Sequence, residues 1–110
     1  MSIYKKLCEA RDEVLPKITD KAKQEEYMSL LYRMLQIAFY NGDKLPKTIT
    51  ILNGLRTQSF KKALKDIGFE ADVEYIGCGS GKNIYRIKLL NWTKSWGVIT
   101  NNPQLFLILN

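Results

Sequence analysis

The chain of 110 residues suits one globular domain and is too short for a barrel of alternating strands and helices or a complete dinucleotide-binding domain. Its 17 Lys and Arg exceed its 11 Asp and Glu, and the formal net charge of +6 favours an anionic partner. Histidine is absent and only two cysteines occur, which removes the commonest general base, imidazole metal ligands and histidine-activated nucleophiles. We therefore expect a protein that is not an enzyme, with no metal and no cofactor.

The N-terminal segment and the cysteines bear on location. Residues 1–15 alternate charged and apolar side chains, unlike a signal peptide, and no apolar run is long enough to span a membrane. Cys8 and Cys78 are far apart in sequence and too few for a cysteine zinc site or a disulfide-rich scaffold. We expect reduced thiols in a cytoplasmic protein without a membrane partner.

Two helices are predicted in the N-terminal part. Apolar residues recur at helical spacing from Ile3 to Val14, and Pro16 predicts that the first helix ends just before it. Thr19 or Asp20 can then cap a second helix.

The second helix is the strongest pattern in the chain, and Gly42 is its predicted end. Its apolar positions form one broad stripe: Tyr27, Leu30, Leu31, Met34, Leu35 and Ala38. Because Ile37 and Phe39 extend the apolar character to other faces, we expect this helix to pack centrally or to support a homodimer.

The middle of the chain contains one ambiguous segment and a third helix. The β-branched residues of 48–52 favour a strand, although the position also suits a short helix. Thr57 is a candidate N-cap, and Gly68 a candidate end, for a helix whose apolar positions are Phe60, Ala63, Leu64 and Ile67. Its other faces carry polar and basic residues: Gln58, Ser59, Lys61, Lys62 and Lys65.

The C-terminal part is predicted to be β-rich. Runs 73–76 and 84–90 favour two strands joined by a flexible glycine-rich turn over 77–83. Two further short strands are predicted at 96–100 and 104–109, flanking a second turn.

The glycine-rich run 73–81 resembles the first motif of S-adenosylmethionine-dependent methyltransferases. That family has an acidic residue two places before the first glycine, where this chain has Tyr75, and a second acid about 20 residues further on, whereas no Asp or Glu follows Glu74. The run also departs from a phosphate-binding loop, because Ile76 and Asn83 replace the glycine and the hydroxyl of that motif. We therefore interpret the run as a hairpin turn.

The basic residues concentrate where acids are missing. Neither 44–65 nor 75–110 contains Asp or Glu. A basic helix followed by a hairpin resembles the winged-helix DNA-binding fold, and a complete helix-turn-helix would require 48–52 to be helical. The resemblance implies phosphate contacts from six basic residues: Lys61, Lys62, Lys65, Lys82, Arg86 and Lys88. It implies base contacts from Arg56, Gln58 and Ser59.

These patterns predict an α+β fold over 1–110, with a helical part at 1–44 and a helix plus β-hairpins, winged-helix-like, at 45–110. We expect a nucleic-acid-binding protein, with DNA favoured. The alternative is a small phage or mobile-element protein that binds and inhibits a host macromolecule such as a nuclease or polymerase. In that case the protein partner would contact aromatic anchors: Tyr32, Phe39, Tyr40, Trp92 and Trp96.

Overall fold

Helix α1 (Ile3–Val14) and helix α2 (Lys21–Tyr40) open the computed structural model, which describes residues 2–92. The Ser2 hydroxyl caps α1 by accepting from the amide of Lys5, and the helix ends in a 3-10 turn at Leu15–Lys17, where Pro16 was predicted to stop it. Asp20 caps α2 by accepting from the amide of Lys23 at 3.1 Å, which decides between the two predicted caps.

The predicted stripe of α2 is confirmed, because all six of its residues are buried. The helix ends at Tyr40, and Gly42 follows with a positive φ of 67°. Phe39 lies outside the core, so the end of α2 is exposed on one side rather than buried on every side.

The ambiguous segment is strand β1 (Thr48–Asn53), and its residues alternate between exposed and buried. A helix at 48–52, as a helix-turn-helix would require, is therefore wrong. The element before helix α3 (Thr57–Ile67) is a strand.

Helix α3 differs from its prediction by one position at its start. Arg56, not Thr57, occupies the N-cap, and its side chain forms no capping hydrogen bond. The predicted end is confirmed, because Gly68 adopts a left-handed φ of 118° and its amide donates to the carbonyl groups of Leu64 and Lys65.

Strands β2 (Phe69–Gly79) and β3 (Lys82–Trp92) form the hairpin, and both are longer than predicted. The predicted turn over 77–83 is wrong in extent, since only Ser80 and Gly81 lie between the strands. Both have a positive φ, of 54° and 75°, as in the two-residue turns that match the twist of a hairpin.

The strands form one antiparallel sheet in the order β1-β3-β2. Alternate residues of β1 and β3 enter a core shared with all three helices, where the Tyr85 ring of β3 stacks on Phe60 of α3 at 4.2 Å. The helices therefore cover one face of the sheet, which we call the inner face, and the intervening residues lie on the outer face. The strands predicted at 96–100 and 104–109 lie outside the described residues.

Candidate nucleic-acid interface

The exposed side of α3 brings together six of the predicted site residues. The buried residues of α3 recur at helical spacing, so one side of the helix packs against the core. The opposite side exposes the predicted polar and basic set: Arg56, Gln58, Ser59, Lys61, Lys62 and Lys65.

One flank of this helix is already neutralised. The Lys62 ammonium lies 2.9 Å from the Asp66 carboxylate, which also accepts a 2.7 Å hydrogen bond from the buried hydroxyl of Tyr27 in α2. Burial, and then the hydrogen bond to Asp66, raise the pKa of the Tyr27 phenol. Lys62 therefore belongs to a link between α3 and α2 as well as to the surface.

The other basic residues of α3 are available to an anion. Among residues 2–92, Arg56, Lys61 and Lys65 form no ion pair with a carboxylate. Lys61 and Lys65 line a groove of about 340 Å³ between α3 and β2, with Leu64, Phe69, Glu70 and Ala71 as its other lining residues. Two of these three cations, Lys61 and Lys65, thus lie on the flank of α3 that faces β2.

Lys82 is held on the helix side of the molecule. Its ammonium lies 3.1 Å from the carboxylate of Glu26 in α2, whose other oxygen accepts from the amide of Gly54 at 2.7 Å. Lys82 therefore ties the start of β3 to α2, and it is half-buried. This link was not predicted, because the two residues are 56 positions apart.

Arg86 and Lys88 lie on the outer face, away from α3. They alternate along β3 with Tyr85 and Ile87, both of which are buried against the helices. Both cations lie near carboxylates of β2. Arg86 forms an ion pair with Glu74 at 2.8 Å, and Lys88 lies opposite Asp72 in the register of β2 and β3. The two groups of cations that the winged-helix resemblance joined are therefore separated by the sheet.

Exposed aromatic side chains form a second surface at the end of α2. Phe39 is 69% and Tyr40 78% exposed, and their ring centroids are 5.3 Å apart. Tyr4 of α1 joins them at 6.4 Å from Phe39, a contact that spacing within one helix could not reveal. Tyr32 is also exposed. The side chains of Trp92 and Trp96 lie outside the part of the chain that the structure describes.

Residues 2–92 also bear on two other classes of site, metal centres and membrane spans. No three residues among the cysteines and carboxylates come together in a group suited to a metal ion. None of the helices described combines the length and the apolar character needed to cross a membrane.

Comparison with protein families, curated proteins and solved structures finds no match to this chain. The exposed side of α3 and the aromatic cluster at the end of α2 are therefore the features of the molecule that bear on its function.

Proposed function

We propose that the protein binds nucleic acid, with duplex DNA favoured, through the exposed side of α3. The observation that supports this most is the unneutralised charge on that helix. Arg56, Lys61 and Lys65 are exposed and lack carboxylate partners within residues 2–92. Such side chains bind phosphates and release condensed counterions.

The polar residues at the start of α3 would supply any reading of sequence. Gln58 and Ser59 lie in the first turn of the helix, beside Arg56 at its N-cap. A helix that enters the major groove with its N-terminal end first presents such donors and acceptors to base edges. The remaining lysines of α3 would then contact the flanking phosphates.

This binding mode differs from a winged helix in one respect. Arg86 and Lys88 lie on the outer face of the sheet. A duplex bound to α3 would therefore not contact them, whereas a duplex bound to a winged-helix protein contacts both the helix and the hairpin. We therefore assign the interaction to α3 alone, and we assign Lys82 to the link with Glu26.

Two double variants with equal loss of charge test this assignment. Lys61→Gln/Lys65→Gln removes two cations from α3, and Arg86→Gln/Lys88→Gln removes two from the outer face. Binding of labelled duplex, single-stranded DNA and RNA is measured by fluorescence anisotropy at about 50 and 200 mM salt. We expect the α3 variant to weaken binding and to lower the slope of log K against log salt by about 1.8, or roughly 0.9 for each lost phosphate contact.

The outer-face variant is the matched control, and we expect it to retain the slope of the unaltered protein. Equal losses of affinity and of salt slope in both variants would support the winged-helix arrangement and contradict the assignment to α3. No binding at low salt by the folded, unaltered protein would reject nucleic-acid binding itself.

The exposed aromatic surface favours a second candidate, inhibition of a host macromolecule through a protein contact. Tyr4, Phe39 and Tyr40 form one cluster, and exposed aromatic side chains are typical anchors of protein interfaces. The test is a pull-down from a host lysate with Phe39→Ala/Tyr40→Ala and with Lys61→Gln/Lys65→Gln. A nuclease or polymerase retained by the lysine variant and lost by the aromatic variant would support this candidate, and the reverse pattern would contradict it.

A further inference from the structure

The two edges of the sheet are built differently. β2 carries Glu70, Asp72 and Glu74, and its pairing with β3 is irregular at two places. Charges and bulges of this kind prevent an edge strand from pairing with another chain. β1 has neither protection, because its six residues are uncharged and each pairs one-for-one with β3. The edge formed by β1 is therefore suited to pairing.

The backbone hydrogen bonds show which groups β1 presents at that edge. The amide of Leu89 donates to the carbonyl of Lys47 at 2.8 Å, one position before β1 begins. In an antiparallel ladder the hydrogen-bonded pairs alternate, so Ile49 and Ile51 also direct their amides and carbonyls toward β3. The amides and carbonyls of Thr48, Thr50 and Leu52 then point away from β3, and among residues 2–92 no strand pairs with them.

We propose that β1 pairs with β1 of a second copy of the chain, antiparallel, about a two-fold axis at Thr50. In this register Thr48 lies opposite Leu52 of the second copy, and Thr50 lies opposite its own equivalent. All of these are residues whose amides and carbonyls point to the free edge, so the pairing forms about six hydrogen bonds. Ile49 lies opposite Ile51 of the second copy, which keeps both helix layers on the same face of a continuous sheet.

A second copy fits this edge better than an unrelated charged partner. β1 has no side-chain charge that would select an acidic or a basic segment, whereas its pattern of exposed and buried residues is complementary to itself. A strand pair alone is small for a stable interface, but a groove of about 320 Å³ adjoins the start of β1. Ile37, Tyr40 and Pro46 line part of it, and Tyr40 is largely exposed. A second copy would cover these apolar side chains, which share the groove with the polar Arg33, Gln36 and Asn41.

This pairing is independent of the proposed function. α3 packs against β2, at the other edge of the sheet, so the dimer leaves its basic side open. The failure of one proposal would therefore not decide the other.

Charge variants at the two-fold axis test the pairing by sedimentation velocity from micromolar to near-millimolar protein. Thr50→Lys and Thr50→Glu each place like charges opposite one another, and we expect each to raise the dimer dissociation constant about tenfold or more. Mixing the two variants places opposite charges at the axis and should restore a heterodimer. Thr50→Val is the control that keeps the strand and adds no charge, and circular dichroism checks that every variant is folded.

Amide hydrogen exchange on the unaltered protein tests the register without any variant. We expect the amides of Thr48, Thr50 and Leu52 to exchange more slowly as the dimer forms. A chain that stays monomeric over the whole range would overturn the proposal. So would a dimer that leaves these amides unprotected, or protection that does not change with concentration, since another segment of the same chain would then occupy the edge.

Discussion

At the scale of single residues, Asn53 is the polar exception among the inward-facing positions of β1. It is 0% exposed, its side-chain amide donates to the carbonyl of Glu26, and its side-chain oxygen accepts from the amide of Leu55. Both partners are backbone groups, and Glu26 lies within α2 whereas Leu55 lies between β1 and α3. Asn53 therefore holds β1 against α2 and shapes the connection to α3, which explains why an apolar residue does not stand there.

We expect Asn53→Leu to lower the free energy of unfolding by about 1–3 kcal/mol, because it removes both hydrogen bonds and leaves the partly buried amide of Leu55 without its acceptor. Urea unfolding followed by circular dichroism measures the change. Thr50 lies in the same strand and is exposed, so Thr50→Val should change the free energy of unfolding by less than about 0.5 kcal/mol. An Asn53→Leu protein as stable as the unaltered one would mean that water replaces these hydrogen bonds at no cost.

At the scale of elements, the helices could be predicted because their signals are local. Pro16 ends α1, Asp20 caps α2 and Gly68 ends α3, and each acts within one turn of the helix. The nature of 48–52 could not be decided in the same way. β1 pairs with β3 at residues 30 to 40 positions further along the chain, and this distant partner selects the strand over a short helix.

The hairpin turn shows a different limit of prediction. Gly77 and Gly79 suggested a wide loop, but both continue β2, because each pairs with a residue of β3. The turn is confined to Ser80 and Gly81, and a serine with a positive φ is not a pattern that sequence predicts.

Part of the candidate site could be predicted from the sequence, and part could not. The basic side of α3 follows from helical spacing, and the outward direction of Arg86 and Lys88 follows from their alternation with Tyr85 and Ile87. The ion pair between Lys82 and Glu26 depends on how distant elements pack, so no spacing could indicate it.

At the scale of the whole molecule, the sheet separates the two proposed surfaces. The pairing edge is β1, the basic helix lies over β2, and β3 stands between them. Substitutions at two separated sites that share no side chain have nearly additive effects on free energy. The remaining coupling is the long-range repulsion between two copies that each carry a formal charge of +6, and this is screened by salt.

We therefore expect a substitution in one surface to leave the interaction of the other surface nearly unchanged. Thr50→Lys should leave the affinity for a duplex that accommodates a single protomer within about twofold, because the charges of α3 are unchanged. Lys61→Gln/Lys65→Gln should leave the dimer dissociation constant within about twofold at a salt concentration that screens the protomers from each other. Anisotropy with a short duplex and sedimentation velocity at one fixed salt concentration measure the two effects. If either variant abolished both binding and pairing, one shared surface would have to serve both, which contradicts the placement of β1 and α3 at opposite edges.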